Sequence, residues 1–198
     1  KGKPLMVVST TISSSPTMIY FGQEVGEAGN ENAGFGTHSR TSIFDYIGVP
    51  NHQRWMNEGK FDGGQLSQQE KELRDFYKRL LNFSITSSAL MGTYQEIQNI
   101  NRQNTAGFDS GIYAFTRWSE TEKLIIVSNF SWLTTSNFEL KVPADIIRKW
   151  NLKDGSYALT DQLYKRNSVQ LVVLNGEGKA KISIAPSESF IYQLSKSK

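Results

Sequence analysis

The stretch IYAFTRW at residues 112–118 decides the fold of the second half of the chain. Its side chains alternate with a period of two, which is the spacing of a β-strand. A polar turn at residues 119–123 then leads into the apolar run LIIV at residues 124–127. Two such runs joined by a short turn are typical of a β-hairpin. This half of the chain is therefore predicted to consist of antiparallel strands.

Several more short runs with strand character follow at close spacing. They are FELKV at 138–142, YAL at 157–159, QLVVL at 170–174, KAKISI at 179–184 and SFIYQL at 189–194. NGEG at 175–178 has the composition of a turn, and residues 144–150 suggest one short helical turn. About eight short strands separated by turns predict an antiparallel β-sandwich.

Residues 67–82 form the clearest helical pattern. Ser67 followed by Glu70 makes a capping box, a signal for the start of a helix. Five apolar side chains recur at helical spacing and form one stripe, which a helix buries. The stripe consists of Leu73, Phe76, Tyr77, Leu80 and Leu81.

The sequence before this helix is less regular. LMVV at residues 5–8 is too short for periodicity to separate strand from helix. TMIYF at residues 17–21 lies between Pro16 and Gly22, a pattern that predicts a strand buried on both faces. Residues 22–66 are rich in glycine but also carry aromatic side chains, so we expect a long ordered loop rather than disorder.

Composition excludes several classes of site. The chain has 198 residues, a formal net charge of +3 and no cysteine. Lysine and arginine are scattered, so no nucleic-acid partner is expected. The absence of cysteine excludes disulfides, zinc–thiolate sites and a cysteine nucleophile. No run approaches the roughly 20 apolar residues of a membrane span. His38 and His52 lack metal-ligand spacing, so no metal and no cofactor are expected.

Six segments together resemble the C-terminal part of the α-amylase superfamily of glycoside hydrolases (family 13 type). PTMIYFGQEVG at 16–26 looks like its last barrel strand, and RTSIFD at 40–45 is similar to the segment that follows that strand. LRDFYKRLL at 73–81 resembles the final barrel helix. IYAFTR at 112–117, LIIVSNFS at 124–131 and ESFIY at 188–192 resemble strands of the C-terminal β-domain.

This resemblance implies an α+β fragment with two parts. Residues 1–88 would be the end of a (β/α)8 catalytic barrel, and residues 89–198 would be an accessory antiparallel Greek-key β-sandwich. The implied parent is a retaining enzyme that acts on α-glucans such as starch, glycogen and maltooligosaccharides. Its catalytic carboxylates lie on earlier barrel strands, so none carries over to this sequence. The fragment is expected to be inactive alone.

Three residues are candidates for contact with a substrate. Glu24 follows the predicted barrel strand, on the face where such barrels bind substrates. It could also be a catalytic carboxylate, although a lone acid cannot perform retaining hydrolysis, or a buried acid bonded to backbone or to Arg40. Arg40 could meet a sugar hydroxyl or pair structurally, and Trp55 could stack on a sugar ring or anchor its own loop. For each of the three residues, the structural role is favoured over the substrate contact.

The β-half leaves alternatives open. Trp118 and Trp132 could form a surface glucan site, although packing is the favoured role, and a purely structural domain ranks above a carbohydrate-binding module. The expected partners are an α-glucan bound through the parent enzyme and the remainder of the barrel. Exposed apolar surface on a barrel fragment also predicts self-association. An extracytoplasmic location is slightly favoured.

Overall fold

A computed structural model describes residues 2–27, 48–166 and 168–195. The chain divides into two compact units. The first comprises Lys1–Pro16 with Asn82–Lys198, and the second comprises Thr17–Leu81. The family boundary expected near residue 88 remains a proposal about domain organisation.

One eight-stranded antiparallel sheet forms the body of the first unit. Its strands are β1 (Thr93–Glu96), β2 (Ile112–Trp118), β3 (Lys123–Asn129), β4 (Ser136–Val142), β5 (Gly155–Asp161), β6 (Ser168–Leu174), β7 (Glu177–Ile184) and β8 (Ser189–Leu194). Their order in the sheet is β1-β2-β3-β8-β5-β6-β7-β4. The predicted hairpin of β2 and β3 is confirmed, with Phe115 opposite Ile126.

The topology includes the expected Greek key. Strands β5, β6 and β7 follow one another, while β4 returns through a long connection to lie beside β7. One hydrophobic core takes residues from β2 to β8, so the curled sheet encloses it as a sandwich does. Burial alternates strictly along β7, which places four side chains inward and four outward.

A short helix, α4 (Gln98–Asn104), bonds to the end of β2 that β1 does not cover and to the edge strand β4. The side-chain amide of Gln98 donates to Ile112 O at 2.8 Å and accepts from Ala114 N at 3.0 Å. Asn101 makes the same pair of bonds with the backbone of Lys141 on β4. Side-chain amides thus replace a neighbouring strand at β2 and at β4, whose free peptide groups would otherwise remain open.

Two further helices and a 3-10 turn belong to the first unit. They are α1 (Lys3–Thr11), α5 (Ala144–Lys149) and the turn Ser88–Met91. The short apolar run at residues 5–8 is therefore helical. Buried Arg117 on β2 donates to Ile12 O at 2.9 Å and also to the carbonyls of Ala89 and Leu90. Its guanidinium holds the end of α1 and the 3-10 turn against β2.

The second unit contains helix α2 (Pro50–Met56), most of helix α3 (Gln68–Thr86) and the 3-10 turns Gln23–Val25 and Asn57–Gly59. The capping box of α3 is confirmed, because Ser67 N donates to Glu70 Oε2 at 2.8 Å and Glu70 N donates to Ser67 Oγ at 3.3 Å. Within the apolar stripe, Phe76, Tyr77 and Leu80 are buried.

The strand predicted at residues 17–21 is wrong. Residues 17–20 have no regular secondary structure, and the Met18 side chain is 86% exposed. A strand buried on both faces needs hydrogen-bonded neighbours, and none of the described strands pairs with this segment. The apolar composition was therefore not sufficient to form a strand. Among the described helices, none is long and apolar enough to cross a membrane.

Candidate functional site

The 3-10 turn Gln23–Val25 carries the first predicted site residue, Glu24. Gly22 and Gly26 flank the turn with φ of 75° and 74°, a conformation that glycine adopts without strain. The Gln23 amide accepts from Tyr20 N at 3.0 Å and donates to the Tyr77 hydroxyl at 2.8 Å. Burial raises the pKa of Tyr77, and the nearby Glu24 charge raises it further. The Glu24 charge therefore affects the buried Tyr77 hydroxyl electrostatically.

A different acid, Glu27, fixes the start of α2. Its Oε2 accepts from the backbone N–H groups of Asn51 and His52, both at 3.0 Å. Asn51 in turn donates from Nδ2 to Val25 O at 3.1 Å and to Gly26 O at 2.9 Å. These bonds satisfy the first N–H groups of the helix, which have no partner within it. Glu27 and Asn51 together fasten the turn at 23–25 to α2.

An ion pair joins α2 to the start of α3. Arg54 Nε donates to Glu70 Oε2 at 3.2 Å, and Nη2 contacts the other carboxylate oxygen. Nη2 also donates to Asn51 Oδ1 at 2.6 Å. The hydrogen bonds from Arg54 lower the pKa of Glu70 to about 2, more than burial raises it. Glu70 is thus both a helix cap and the anion of a bidentate pair.

Trp55 lies on α2 among three side chains of the same unit. Its ring centroid is 5.5 Å from that of His52 and 5.9 Å from that of Phe61, and the Arg74 guanidinium lies 5.3 Å from it. The backbone carbonyl of Trp55 accepts from Gly63 N at 3.0 Å. These contacts support the loop-anchoring role for Trp55.

The three predicted site residues have different outcomes. Glu24 and Trp55 lie in the second unit, and Arg40 lies outside the described residues. The polar network is instead centred on residues that the sequence did not single out, namely Glu27, Asn51 and Arg54. Glu27 is 24 positions from Asn51, and Arg54 is 16 positions from Glu70, so no local spacing signals those contacts. The substrate contacts of Glu24, Arg40 and Trp55 remain proposals.

The two tryptophans singled out in the β-half differ in environment. Trp132 is 61% exposed in the loop after β3. Trp118, at the end of β2, is half-buried and its ring meets that of Trp150 edge-on, with centroids 6.2 Å apart. Both of the latter rings line an open cleft of about 990 Å³ in the first unit.

Comparison with known proteins finds a family similarity over most of the β-domain. Residues 108–195 match the family model described as alpha amylase, C-terminal all-beta domain. No curated protein matches the sequence. Residues 108–195 are therefore similar to the α-amylase C-terminal β-domain.

Solved structures extend the likeness over almost the whole chain. AmyP, solved in complex with maltose, covers 99% of this chain with a TM-score of 0.57 at 17% identity. The α-amylase from Geobacillus thermoleovorans, solved with acarbose, covers 99% with a TM-score of 0.55 at 11% identity. The trehalulose synthase MutB from Pseudomonas mesoacidophila covers 98% with a TM-score of 0.54 at 16% identity. Identities this low show the fold alone.

The chain corresponds to only part of each solved protein. It spans 35%, 33% and 38% of the three solved proteins, about a third of each. Taken with the match over residues 108–195, the chain is similar in fold to the C-terminal portion of α-amylase-family enzymes, which are glycoside hydrolases.

Proposed function

We propose that this chain is the C-terminal part of a retaining glycoside hydrolase that acts on α-glucans. The observation that carries the proposal is the match of residues 108–195 to the α-amylase C-terminal domain. Two of the structural relatives were solved with maltose and with acarbose. MutB, a trehalulose synthase, shares the fold. The fold alone therefore does not determine whether the parent enzyme hydrolyses or transfers glycosyl groups; its active site does.

The catalytic carboxylates are proposed to lie outside this chain. Retaining hydrolysis requires two carboxyl groups about 5 Å apart, one as nucleophile and one as acid and base. The family resemblance assigns these acids to earlier barrel strands. Within the chain, residues 17–20 form no strand that could contribute to a barrel. We therefore expect the chain alone to be inactive, and Glu24, Arg40 and Trp55 to act only within the complete enzyme.

Activity measurements test this proposal at two levels. The purified chain, incubated with maltoheptaose, should release no reducing sugar above a heat-denatured control. Turnover by the chain would show that its own residues carry the catalysis. The longer parent protein should hydrolyse or transfer maltooligosaccharides but leave cellooligosaccharides intact. Inactivity of the parent on every α-glucan would contradict the assigned substrate class.

The β-domain is proposed to have a structural role in the parent. Its edge strand β4 is closed by α4, and its core is continuous from β2 to β8, so it can stabilise the remainder of the barrel without chemistry of its own. Deleting residues 108–195 from the parent should lower the melting temperature of the catalytic barrel. A barrel with unchanged melting temperature would contradict the structural role.

Self-association of the isolated chain is a further part of the proposal. The apolar stripe of α3 is largely buried, so it does not provide the exposed apolar surface that the sequence led us to expect. Exposed apolar side chains lie elsewhere, at Met18, Ile85, Met91 and Leu133. Sedimentation velocity between 5 and 200 μM should show a rising weight-average mass. A constant monomer mass over that range would contradict self-association.

A further inference from the structure

A cleft of the β-domain lies at one end of strands β2 and β3. Two tryptophans and two leucines form its apolar part, namely Trp118, Trp150, Leu152 and Leu194. Hydroxyl, amide and charged side chains surround them, and the charged ones are Glu120, Lys123 and Lys149. Its volume of about 990 Å³ is at the upper end of the range of roughly 300–1,000 Å³ for small-molecule sites.

One polar atom in this cleft wall has no partner among the described residues. Trp150 is only 2% exposed, and no acceptor within residues 2–27, 48–166 and 168–195 bonds to its Nε1. Buried indole N–H groups usually find an acceptor. An oxygen atom of a bound ligand, reached by a small rotation of the ring, would supply one.

Trp118 is held in a fixed orientation beside that indole. Trp150 meets its ring edge-on, and Lys149 Nζ lies 5.8 Å from its centroid. Lys149 is itself fixed by Gln95 Oε1 at 2.8 Å and Asp145 Oδ2 at 3.2 Å. The half-buried Trp118 ring is therefore preorganised before a ligand arrives, which reduces the entropic cost of binding.

The backbone at the rim of the cleft requires a glycine at position 92. Gly92 packs so tightly against β2 that a Cβ at this position would lie 2.0 Å from Trp118 O. Only glycine allows the chain to pass so close to the Trp118 backbone. The rim of the cleft is thus built from a close approach that other residues could not make.

The lining favours a neutral ligand with one apolar face and many hydroxyl groups. The cationic groups of Lys123 and Lys149 are balanced by Glu120 at the rim and by Asp145 beside Lys149. An aromatic ring next to hydroxyl, amide and ammonium donors suits a sugar ring, whose C–H face packs on an indole while its hydroxyl groups hydrogen-bond.

We propose that this cleft binds an α-linked glucan chain. The choice of α-glucan rests on the proposed function of the parent enzyme. The Trp118 ring would carry a sugar residue, and Trp150 Nε1 would donate to one of its oxygen atoms.

Titration of the intact 198-residue chain with maltoheptaose, followed by the indole N–H resonances in ¹⁵N NMR, tests the site directly. The Trp118 and Trp150 signals should shift and saturate, while the Trp132 and Trp55 signals stay in place. Cellohexaose should give at least tenfold weaker binding. Absence of shifts at 10 mM maltoheptaose would overturn the proposal, and equal binding of cellohexaose would overturn the preference for α-linkages.

Variants provide a second, independent measurement. Trp118→Ala should weaken maltoheptaose binding about tenfold, the size of one aromatic contact, and Trp118→Phe should restore part of it. Trp132→Ala is the matched control outside the cleft and should bind as the wild type does. Loss of binding in Trp132→Ala with full binding in Trp118→Ala would move the site to the loop and overturn the cleft assignment. Activity of the parent enzyme is measured separately, so failure of glucan binding at the cleft leaves the proposed function intact.

Discussion

The side-chain amide of Asn101 exchanges two hydrogen bonds with the backbone of Lys141. Its Nδ2 donates to Lys141 O at 2.9 Å, and its Oδ1 accepts from Lys141 N at 2.8 Å. Lys141 lies on β4, which has β7 as its only strand neighbour in the described sheet. Asn101, 40 positions away in sequence, thus bonds to the open edge of β4 as a neighbouring strand would.

Replacing Asn101 by alanine should destabilise the β-domain by about 2–4 kcal/mol. The side chain is fully buried, and its loss leaves the Lys141 N–H and C=O without partners, at a cost of about 1–3 kcal/mol for each buried polar group. Urea denaturation followed by near-UV circular dichroism measures the change. Asn104→Ala on the exposed side of the same helix is the control and should stay within about 0.5 kcal/mol. Equal losses for the two variants would contradict the edge-closing role.

Arg117 should be required in its arginine form. It is buried and donates to three backbone carbonyls, which include Ile12 O at the end of α1. Burial lowers its pKa. Arg117→Met should cost about 2–4 kcal/mol because three carbonyls lose a charged donor. Lysine lacks the planar fork, so Arg117→Lys should recover less than half of the loss. The exposed Arg102→Met is the control, and full recovery by lysine would show that charge alone is sufficient.

Most strands of the β-domain could be predicted from sequence because their information is local. The period of two at residues 112–118 gives β2 with its observed bounds, and the turn residues give the hairpins. The Ser67 capping box likewise gives the start of α3 to within one residue. In each case, adjacent side chains determine both the element and its buried face.

The missed elements depend on distant contacts. β1 is a four-residue edge strand without an apolar pattern, and α4 has the largely polar sequence QNINRQN. Both are held by bonds to β2 and β4 that no local spacing indicates. At residues 17–21 the apolar run predicted a strand, but none of the described strands pairs with this segment. The network of Glu27, Asn51 and Arg54 was missed for the same reason.

Glu70 should make the second unit sensitive to acid. Its pKa is lowered to about 2 by Arg54, so its contribution to stability is complete above pH about 4.5 and is lost as the pH falls towards 2. We expect a loss of roughly 1–2 kcal/mol, reduced by solvent screening because Arg54 is more than a third exposed. Hydrogen exchange of α3 amides between pH 5 and 2.5 would show it. Glu70→Gln should flatten this dependence, whereas the exposed neighbour Glu72→Gln should retain it.

Asp161 at the end of β5 tests how much a buried carboxylate contributes. The side chain is fully buried and accepts from Leu163 N at 3.1 Å, Tyr164 N at 2.8 Å and Ile191 N at 3.3 Å. An amide cannot accept at both positions, so Asp161→Asn should cost about 1–3 kcal/mol. The control is Asp154→Asn, since exposed Asp154 also accepts two backbone N–H groups, from Asn175 and Gly176.

The pH dependence separates charge from geometry at Asp161. Burial raises the pKa of its carboxyl, more than the backbone donors lower it. Folding therefore favours the neutral acid relative to the unfolded chain, and the advantage of wild type over Asp161→Asn is greatest below pH about 3.8. That advantage should shrink as the pH rises through the folded-state pKa. Urea denaturation of both proteins from pH 3 to pH 7 measures it. An advantage that grows with pH would show that the three N–H donors, rather than burial, dominate the carboxylate.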